Sequence, residues 1–334
     1  MWVAVDVMSG ELDLETAIFG CVQAVNEFGI KVILVGDEVA ISELLFRFTI
    51  DSSKVDIIHA DDVIGMYESP AQAVRAKPNA SVLVAARLVK EGRAVGFFSP
   101  GNTGATMTAT LLEQGRIQGV KRPTIASPIP REDRGTTILA DSGANVDCRP
   151  RWLLQFAIMA ATYAEEILGI KRPRIGLLAN GEEPKKGNYL TQQTYKDLAK
   201  LPWDFIGNVE GRDIYGGTDR SADVIVCDGF LGNIVLKATE GLARSIFNLM
   251  RQEIQQSALG RTGGLMLRPT LKMIRDRMDA SEYGGAPLLG INGNCVIGHG
   301  SANSRAFKNA IRMVDLFARR KLHERIALNI ENYG

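Results

Sequence analysis

The sequence predicts an α/β protein with three layers, α/β/α, arranged around a mainly parallel sheet. Apolar stretches of strand length alternate along the chain with amphipathic stretches of helical length, and glycine-rich loops separate them. Because 334 residues exceed the length of an average domain, we expect one large unit over residues 1–334, or two lobes that share one sheet.

The first strand and its helix show this alternation clearly. Residues 2–8 (WVAVDVM) are apolar apart from Asp6, and apolar residues then recur at helical spacing up to Phe28. Residues 61–79 are predicted to be a polar, turn-rich connection, and residues 130–135 (PREDRG) a charged turn. Further strands are predicted at 32–35, 55–59, 95–98, 124–129, 137–140, 174–178, 204–207, 224–227 and 295–297, and helices at 81–90, at 152–168 and, after the loop 228–233, through Lys237 toward Gln256.

Composition and charge exclude several classes of protein. A net charge of +1 excludes a broad nucleic-acid-binding face, and the longest apolar runs are too short to span a membrane or to direct export. The four cysteines lie far apart without a CxxC pair, which is typical of reduced residues in a cytosolic protein. Three widely separated histidines make a His/Cys metal site unexpected.

Loops that contain glycine and asparagine follow several predicted strands and precede helices. Such junctions present backbone N–H groups and the positive end of a helix to an anion. Because ligands of parallel sheets bind beyond the carboxyl ends of the strands, we expect these loops to line one crevice. The alternative is that glycine and asparagine favour turns and that each loop is independent. The loops are GNTGA (101–105), GANVD (143–147), ANGEE (179–183), GNVEG (207–211) and DGFLGN (228–233).

The polar residues of these loops suit the binding of phosphate. Lys185 and Lys186 are the leading phosphate contacts, although an exposed pair of lysines is more often simply solvated. Lys237 follows Asn233 by four residues, so both occupy one helix face. His299 ends a predicted strand and could protonate a leaving group or bind an anion; a core or capping histidine is the alternative. The sequence has no GxSxG, no HExxH and no evident Cys–His pairing, which argues against a covalent serine or cysteine mechanism and against zinc hydrolysis.

A basic amphipathic stretch stands apart from the sheet pattern. Gly263 and Gly264 precede it, so we predict a protruding helical hairpin over residues 257–283 that rests on an anionic bilayer or in a partner groove. The alternative is a helix packed on its own protein or on a dimer partner. The apolar residues at helical spacing are Leu267, Leu271, Ile274 and Met278, flanked by Arg268, Lys272, Arg275 and Arg277.

Taken in order, the motifs resemble those of one family over residues 3–311: GNTGA, D-x-GAN-x-D, KKGN, IGN-x-E-GRD, CDGF-x-GN-x-x-LK, YGGAPLLG and HG-x-x-x-S. This series resembles the phosphate acyltransferase (PlsX) family of bacterial phospholipid synthesis. The resemblance implies transfer of a fatty acyl group from acyl carrier protein (acyl-ACP) to orthophosphate without a cofactor. The acyl phosphate would then pass to a glycerol-3-phosphate acyltransferase.

The resemblance also carries expectations about structure and location. It implies a fold similar to isopropylmalate dehydrogenases and phosphotransacetylases, and a homodimer in the cytoplasm. Residues 263–278 would attach the homodimer peripherally to the inner face of the cell membrane, with Leu267, Arg268, Leu271, Lys272 and Ile274 in contact with lipid.

Site residues follow from the resemblance position by position. Catalytic roles fall to His299, Lys185 and Asn233, with His299 acting at the thioester or the phosphate. Asn233 and Lys237 would orient the phosphate. A first cradle would consist of Asn102, Thr103, Gly104, Asn145 and Asp147, and the phosphate would be held by Asn180, Lys185, Lys186 and Asn188.

Three loops depart from the family pattern. The first strand is followed by SGELDL (9–14) instead of GGDHAP, the loop GTEDKKGN has become GEEPKKGN through Glu182 and Pro184, and Pro100 precedes GNTGA. Negative charge at Glu11 or Glu182 would oppose phosphate unless lysines offset it.

The altered loops leave other functions open. One is a relative of phosphotransacetylases or of NAD-dependent dehydrogenases, although neither metal-binding aspartates nor a dinucleotide fingerprint are evident. The other is a non-catalytic membrane scaffold that binds acyl carrier protein.

Overall fold

In the part of the chain that the computed structural model describes, residues 1–11 and 13–334, eleven strands form one mixed sheet. Leu12, in the altered loop 9–14, lies outside the described residues. The strands are Trp2–Asp6 (β1), Lys31–Gly36 (β2), Val55–His59 (β3), Phe97–Ser99 (β4), Thr124–Pro130 (β5), Thr136–Ala140 (β6), Arg174–Leu178 (β7), Asp204–Val209 (β8), Val224–Val226 (β9), Ala286–Leu289 (β10) and Cys295–Ile297 (β11).

The helices begin and end at residues whose side chains explain the boundary. Asp13 caps the first helix by accepting a hydrogen bond from the backbone N–H of Thr16 at 2.7 Å, and Gly29 ends it with a φ of 67°. The helices are Leu14–Phe28 (α1), Glu38–Leu45 (α2), Pro70–Ala76 (α3), Ser81–Lys90 (α4), Thr103–Glu113 (α5), Pro150–Glu166 (α6), Tyr189–Leu198 (α7), Gly229–Gln256 (α8), Ala258–Met278 (α9), Ser304–Arg319 (α10) and Leu322–Tyr333 (α11).

The strands run in two opposite directions across the sheet, whose order is β3-β2-β1-β4-β11-β10-β5-β6-β9-β7-β8. Strands β3, β2, β1, β4 and β11 are parallel to one another, and so are β6, β9, β7 and β8. Between these sets, β10 is antiparallel to both β11 and β5, and β5 is antiparallel to β6. The carboxyl ends of the first set of strands therefore all point to one side of the sheet along the strand direction, which we call the first edge. The carboxyl ends of the second set point to the opposite side, which we call the second edge.

The two faces of the sheet are covered differently. One cluster of buried apolar residues extends over both halves on one face, where Phe98 of β4 meets Phe307 of α10 with ring centroids 5.0 Å apart. The other face has two separate clusters, one under α4 and α5 and one that includes residues of β7, β8 and β9 beneath α8. The buried apolar residues thus form one continuous cluster on one face and two separate clusters on the other.

The α8–α9 hairpin is the least buried part of the described chain. Within α8 only Gly229 and Gly232 are buried. Its 28 residues correspond to a length of roughly 42 Å, which exceeds the length of the strands in the sheet. Large apolar side chains exposed along the two helices are Phe230, Ile234, Leu242, Ile246, Leu249, Met250, Leu259, Leu265, Met266, Leu267, Met273, Ile274 and Met278.

Three local predictions are wrong. The connection over residues 61–79 contains helix α3, because Pro70 at its first turn starts a short amphipathic helix. Gly263 and Gly264 lie inside α9, and the break between the two long helices falls at Ser257, which caps α9. Asn208, expected in the GNVEG loop, is a buried residue of β8.

Within residues 1–11 and 13–334, no helix is long and apolar enough to cross a membrane.

Candidate functional site

The GNTGA loop at the first edge is a well-satisfied helix start. The side-chain oxygen of Asn102 accepts a hydrogen bond from the backbone N–H of Ala105 at 3.1 Å, and its amide group donates to the carbonyl of Met66 at 2.8 Å. Gly104 lies against α3, since a Cβ there would come within 2.6 Å of Cγ of Pro70. Thr103 is exposed. The polar atoms of Asn102 are therefore used within the chain, and its role is to cap α5.

Asp6 joins the β1 and β4 loops at this edge. Its buried carboxylate accepts hydrogen bonds from Oγ of Ser99 at 2.7 Å and from the backbone N–H of Ser9 at 3.1 Å. The sequence showed Asp6 only as a charge within an apolar strand. A carboxylate at the end of a buried strand is the signal that could have identified this link.

His299 also lies at the first edge, after β11. Its Nδ1 accepts a hydrogen bond from the backbone N–H of Ser301 at 3.3 Å and lies 2.8 Å from Oγ of Ser301. These contacts assign the proton of the neutral ring to Nε2, which faces outward on an exposed side chain. The backbone N–H of Glu11 donates to the carbonyl of the next residue, Gly300, at 2.8 Å.

Asp141 organises the β6 loop at the second edge. The buried carboxylate accepts hydrogen bonds from the backbone N–H of Asn145 at 2.7 Å, from the Asn145 amide group at 2.9 Å and from the N–H of Ala144 at 3.1 Å. The Asn145 amide also donates to the carbonyl of Pro123 at 2.8 Å. Asn145, predicted to contact phosphate, thus shapes the loop, whereas Asp147 points outward as an exposed residue.

The first turns of α8 lie directly against this loop. The backbone N–H of Gly229 donates to the carbonyl of Asn145 at 2.8 Å. A Cβ on Gly143 would lie 3.6 Å from Cγ of Asn233, so the Asn233 side chain stands beside the β6 loop. Within the described residues the exposed amide of Asn233 has no hydrogen-bond partner, which leaves it free for a ligand. Lys237, one turn further along, forms an ion pair with Glu240 at 2.8 Å.

The β7 loop brings the two candidate lysines to the same edge. Lys185 and Lys186 are exposed, and neither forms an ion pair with any described residue. Asn180 holds the loop closed by accepting a hydrogen bond from the backbone N–H of Gly187 at 2.8 Å. Asn188 caps α7 through the N–H of Thr191 at 3.0 Å. Two unpaired ammonium groups therefore stand on a loop whose own asparagines have structural roles.

Glu182 does not leave an uncompensated negative charge in this loop. Its carboxylate lies 2.9 Å from Nε of Arg220 and 3.1 Å from Nη2 of Arg212. These hydrogen bonds, that of Arg220 first, lower the pKa of Glu182 below its usual value. The charge of Glu182 is therefore offset by arginines and not by lysines.

The expectation that all five loops line one crevice at a single sheet edge is wrong. The loops after β6, β7 and β9 share the second edge, where β9 lies between β6 and β7, but the loop after β4 is at the first edge with His299. We expected the carboxyl ends of all these strands to lie together, but the two parallel sets of strands run in opposite directions. Five strand spacings separate β11 from β7, a lateral distance of roughly 24 Å. His299 and Lys185 of one chain therefore belong to different clusters, whereas Lys185 and Asn233 follow adjacent strands.

The cysteines are unsuited to act as nucleophiles. Cys148 lies beside the β6 loop, and burial raises its pKa to about 12; burial raises the pKa of Cys295 to about 12 as well. Their thiols remain protonated near neutral pH. Among the described residues, no cluster of His, Cys, Asp and Glu side chains is arranged to hold a metal ion.

The sequence is similar to a family described as fatty acid synthesis protein, whose model matches residues 1–325. A phosphate acyltransferase of Leptospira biflexa is 54% identical over 333 residues, covering 100% of this chain and 98% of the relative. A phosphate acyltransferase of Pelotomaculum thermopropionicum is 47% identical over 332 residues, covering 99% of this chain and 96% of the relative. This chain belongs to the phosphate acyltransferase family. The resemblance seen in the motifs is confirmed.

Solved structures confirm the predicted fold class of this phosphate acyltransferase family member. A phosphotransacetylase from Streptococcus pyogenes matches with a TM-score of 0.62 at 18% identity, covering 95% of this chain and 94% of that chain. The EutD phosphotransacetylase from Staphylococcus aureus matches with a TM-score of 0.59 at 17% identity, with the same two coverages. At these identities the likeness concerns the fold alone.

Proposed function

We propose that this protein transfers a fatty acyl group from acyl carrier protein to orthophosphate and releases acyl phosphate. The support is membership of the phosphate acyltransferase family over the whole chain together with the unpaired donors of the second edge. A phosphate oxygen attacks the thioester carbon, the carbon–sulfur bond breaks, and the thiol of the carrier leaves. The step needs a site that binds an anion and excludes competing water, and no enzyme nucleophile.

Within the second edge, phosphate is assigned to the space between the β7 loop and the first turns of α8. Lys185 and Lys186 supply positive charge, and the free amide of Asn233 donates a hydrogen bond that orients the attacking oxygen. Lys237 is available once phosphate competes with Glu240. Asn180, Asn145 and Asn188 shape the surrounding loops.

His299, Asn102, Thr103 and Gly104 form a separate first-edge group. The outward Nε2–H of His299 is a hydrogen-bond donor on an exposed side chain. Because the leaving sulfur is bonded to the carbon that phosphate attacks, His299 of the same chain, roughly 24 Å from Lys185, is too far away to protonate it at the second edge, and its catalytic role stays a prediction.

The test of the reaction is incubation of the purified protein with long-chain acyl-ACP, with and without orthophosphate. We expect phosphate-dependent formation of acyl phosphate and of free carrier. Carrier binding without turnover at high enzyme concentration would instead indicate a scaffold. A glycerol-3-phosphate acyltransferase is the enzyme proposed to consume the product.

The α8–α9 hairpin supports a peripheral position on the cytoplasmic face of an anionic membrane. Leu267 and Ile274 of α9 are 54% and 46% exposed, and Arg268 and Lys272 alternate with them and with Leu271. Replacing Leu267 and Leu271 by Glu should release the protein from vesicles that contain anionic lipid. Leu112, which is 62% exposed outside the hairpin, gives the matched control, Leu112→Glu. Unchanged sedimentation of the double variant would contradict membrane contact.

Helix α8 carries a second apolar stripe, for which we propose a second copy of the chain as partner. Leu242, Ile246 and Leu249 are spaced so that they lie on one helix face, and all are at least 47% exposed. Sedimentation of the Leu249→Glu variant should show a monomer where the unchanged protein is a dimer.

A further inference from the structure

We propose that Asp141 is a positioning residue for phosphate, acting through Asn233 and the loop of residues 143–145. The inference rests on the proposed function, since it assumes that phosphate binds at the second edge. Asp141 itself does not face solvent and is not proposed to contact the substrate.

The contacts of the Asp141 carboxylate are all donated to it. Oδ2 accepts the two hydrogen bonds from Asn145, and Oδ1 accepts hydrogen bonds from four further groups. Those groups are the N–H of Ile125 at 3.0 Å, of Ala144 at 3.1 Å and of Gly143 at 3.4 Å, and the hydroxyl of Thr124 at 3.2 Å. An ionised carboxylate is the side chain that accepts at both oxygens and donates at neither, so the geometry matches that form.

This arrangement determines where Asn233 stands. The first turn of α8 approaches Asp141 so closely that a Cβ on Gly229 would lie 2.7 Å from Oδ2, and a Cβ on Gly232 would overlap the Asp141 carbonyl oxygen. Asn233 is the next residue and lies against Gly143. Any change in the loop that Asp141 holds must therefore move the start of α8 and the free amide of Asn233.

The charge of Asp141 has no cationic partner among the described residues, although its side chain is fully buried. A buried carboxylate held only by neutral donors is costly in comparison with an apolar residue, so stability alone is a poor reason for it. Four of its six donors belong to the loop beside Asn233, which indicates that its benefit lies in the geometry of that loop.

The test compares Asp141→Asn with the unchanged enzyme in steady-state kinetics with phosphate and acyl-ACP varied separately. The amide group of Asn would face at least two N–H donors whichever way it turns. We expect KM for phosphate to rise about tenfold or more, with KM for acyl-ACP nearly unchanged. Asp6→Asn is the matched control, because it alters a buried carboxylate at the other edge, and it should leave KM for phosphate unaltered.

A double-mutant cycle separates positioning from a general loss of structure. If Asp141 acts through Asn233, the Asp141→Asn/Asn233→Ala variant should have the same KM for phosphate as Asn233→Ala alone. Effects that multiply, or an equal rise of both KM values, would overturn the inference. If Asp141→Asn does not fold, Thr124→Val removes one donor to the carboxylate and should raise KM for phosphate by a few-fold; no rise would count against the inference.

The two proposals fail in different ways. If the unchanged protein forms no acyl phosphate, the proposed function fails. Calorimetric titration with inorganic phosphate then still compares the phosphate affinity of the variants with that of the unchanged protein. If the unchanged protein is active and Asp141→Asn binds phosphate equally well, only the positioning role is lost.

Discussion

The β4–α5 junction and the β9–α8 junction share a Gly-Asn pair near the start of a helix but use the asparagine in different ways. Asn102 is the N-cap of α5, and hydrogen bonds within the chain occupy its side chain. In α8 the cap is Asp228, so Asn233 falls in the second turn with a free amide. The position of an asparagine relative to the cap therefore decides whether it stabilises a helix or faces a ligand.

The two edges also differ in charge. At the first junction the Glu68 carboxylate is paired with Lys77 at 2.6 Å, and Glu11 is exposed. The unpaired Lys185 and Lys186 accompany the second. The unpaired ammonium groups attract an anion to the second edge, whereas the Asn102 side chain at the first is used within the chain, so the two junctions should respond oppositely to mutation.

The largest effect is expected from the lysines. Lys185→Gln/Lys186→Gln should lower kcat/KM for phosphate by about 100-fold or more, because each charged hydrogen bond contributes about 1.5–3 kcal/mol. The same double variant should leave KM for acyl-ACP nearly unchanged in initial-rate assays. Lys200→Gln, an exposed lysine paired with Asp197 at 2.8 Å, is the control. An equal loss in that control would contradict a phosphate site at Lys185 and Lys186.

Asn233→Ala should have the next largest effect, a decrease of about tenfold in kcat/KM for phosphate, since one oriented donor is removed. Its free energy of unfolding should change little, because the amide has no partner among the described residues. Initial rates and urea unfolding measure the two quantities. A large loss of stability with normal kinetics would contradict the role of the free amide.

Asn102→Ala should show the reverse. Removal of the cap should lower the free energy of unfolding by about 1 kcal/mol and raise KM for phosphate only slightly. Asn188→Ala, which removes the corresponding cap of α7, gives a matched comparison for stability. If Asn102→Ala raised KM for phosphate more than Asn233→Ala, the contrast between the junctions would be lost.

The smallest effect concerns Glu182. Because Arg220 and Arg212 lower its pKa in the folded state, its contribution to stability is present above the unfolded pKa and is lost as the pH falls through the folded pKa. Glu182→Gln should thus be slightly less stable than the unchanged protein at neutral pH and equally stable in acid. Urea unfolding at both pH values measures this difference. A difference that persists in acid would have another cause.

Much of the architecture could be predicted because periodicity is local. The alternation of strands and helices, the Asn102 cap and the amphipathic character of α9 follow from the spacing of apolar residues and from capping chemistry. The direction of the second set of strands was missed, although a signal was present. The short turn at residues 130–135 joins β5 to β6, and so short a connection joins antiparallel strands, whereas a parallel pair needs a crossover of a dozen residues or more.

The candidate site was predictable in its residue types and not in its grouping. Motif and charge identified Lys185, Lys186 and Asn233. Which asparagine side chains already form hydrogen bonds within the chain depends on residues far away in sequence, such as Met66 for Asn102 and Pro123 for Asn145. Asp141 was passed over because two of its six donors, Thr124 and Ile125, reach it only when β5 pairs with β6.

The central claim, that phosphate binds at the second edge, is tested most directly by the position of a bound phosphate analogue. Crystals soaked in tungstate should give an anomalous peak within hydrogen-bonding distance of Asn233 and of Lys185 or Lys186. A peak that is absent from crystals of Asn233→Ala grown and soaked in the same way would strengthen the assignment. A peak beside His299 and Asn102, with none at the second edge, would contradict it.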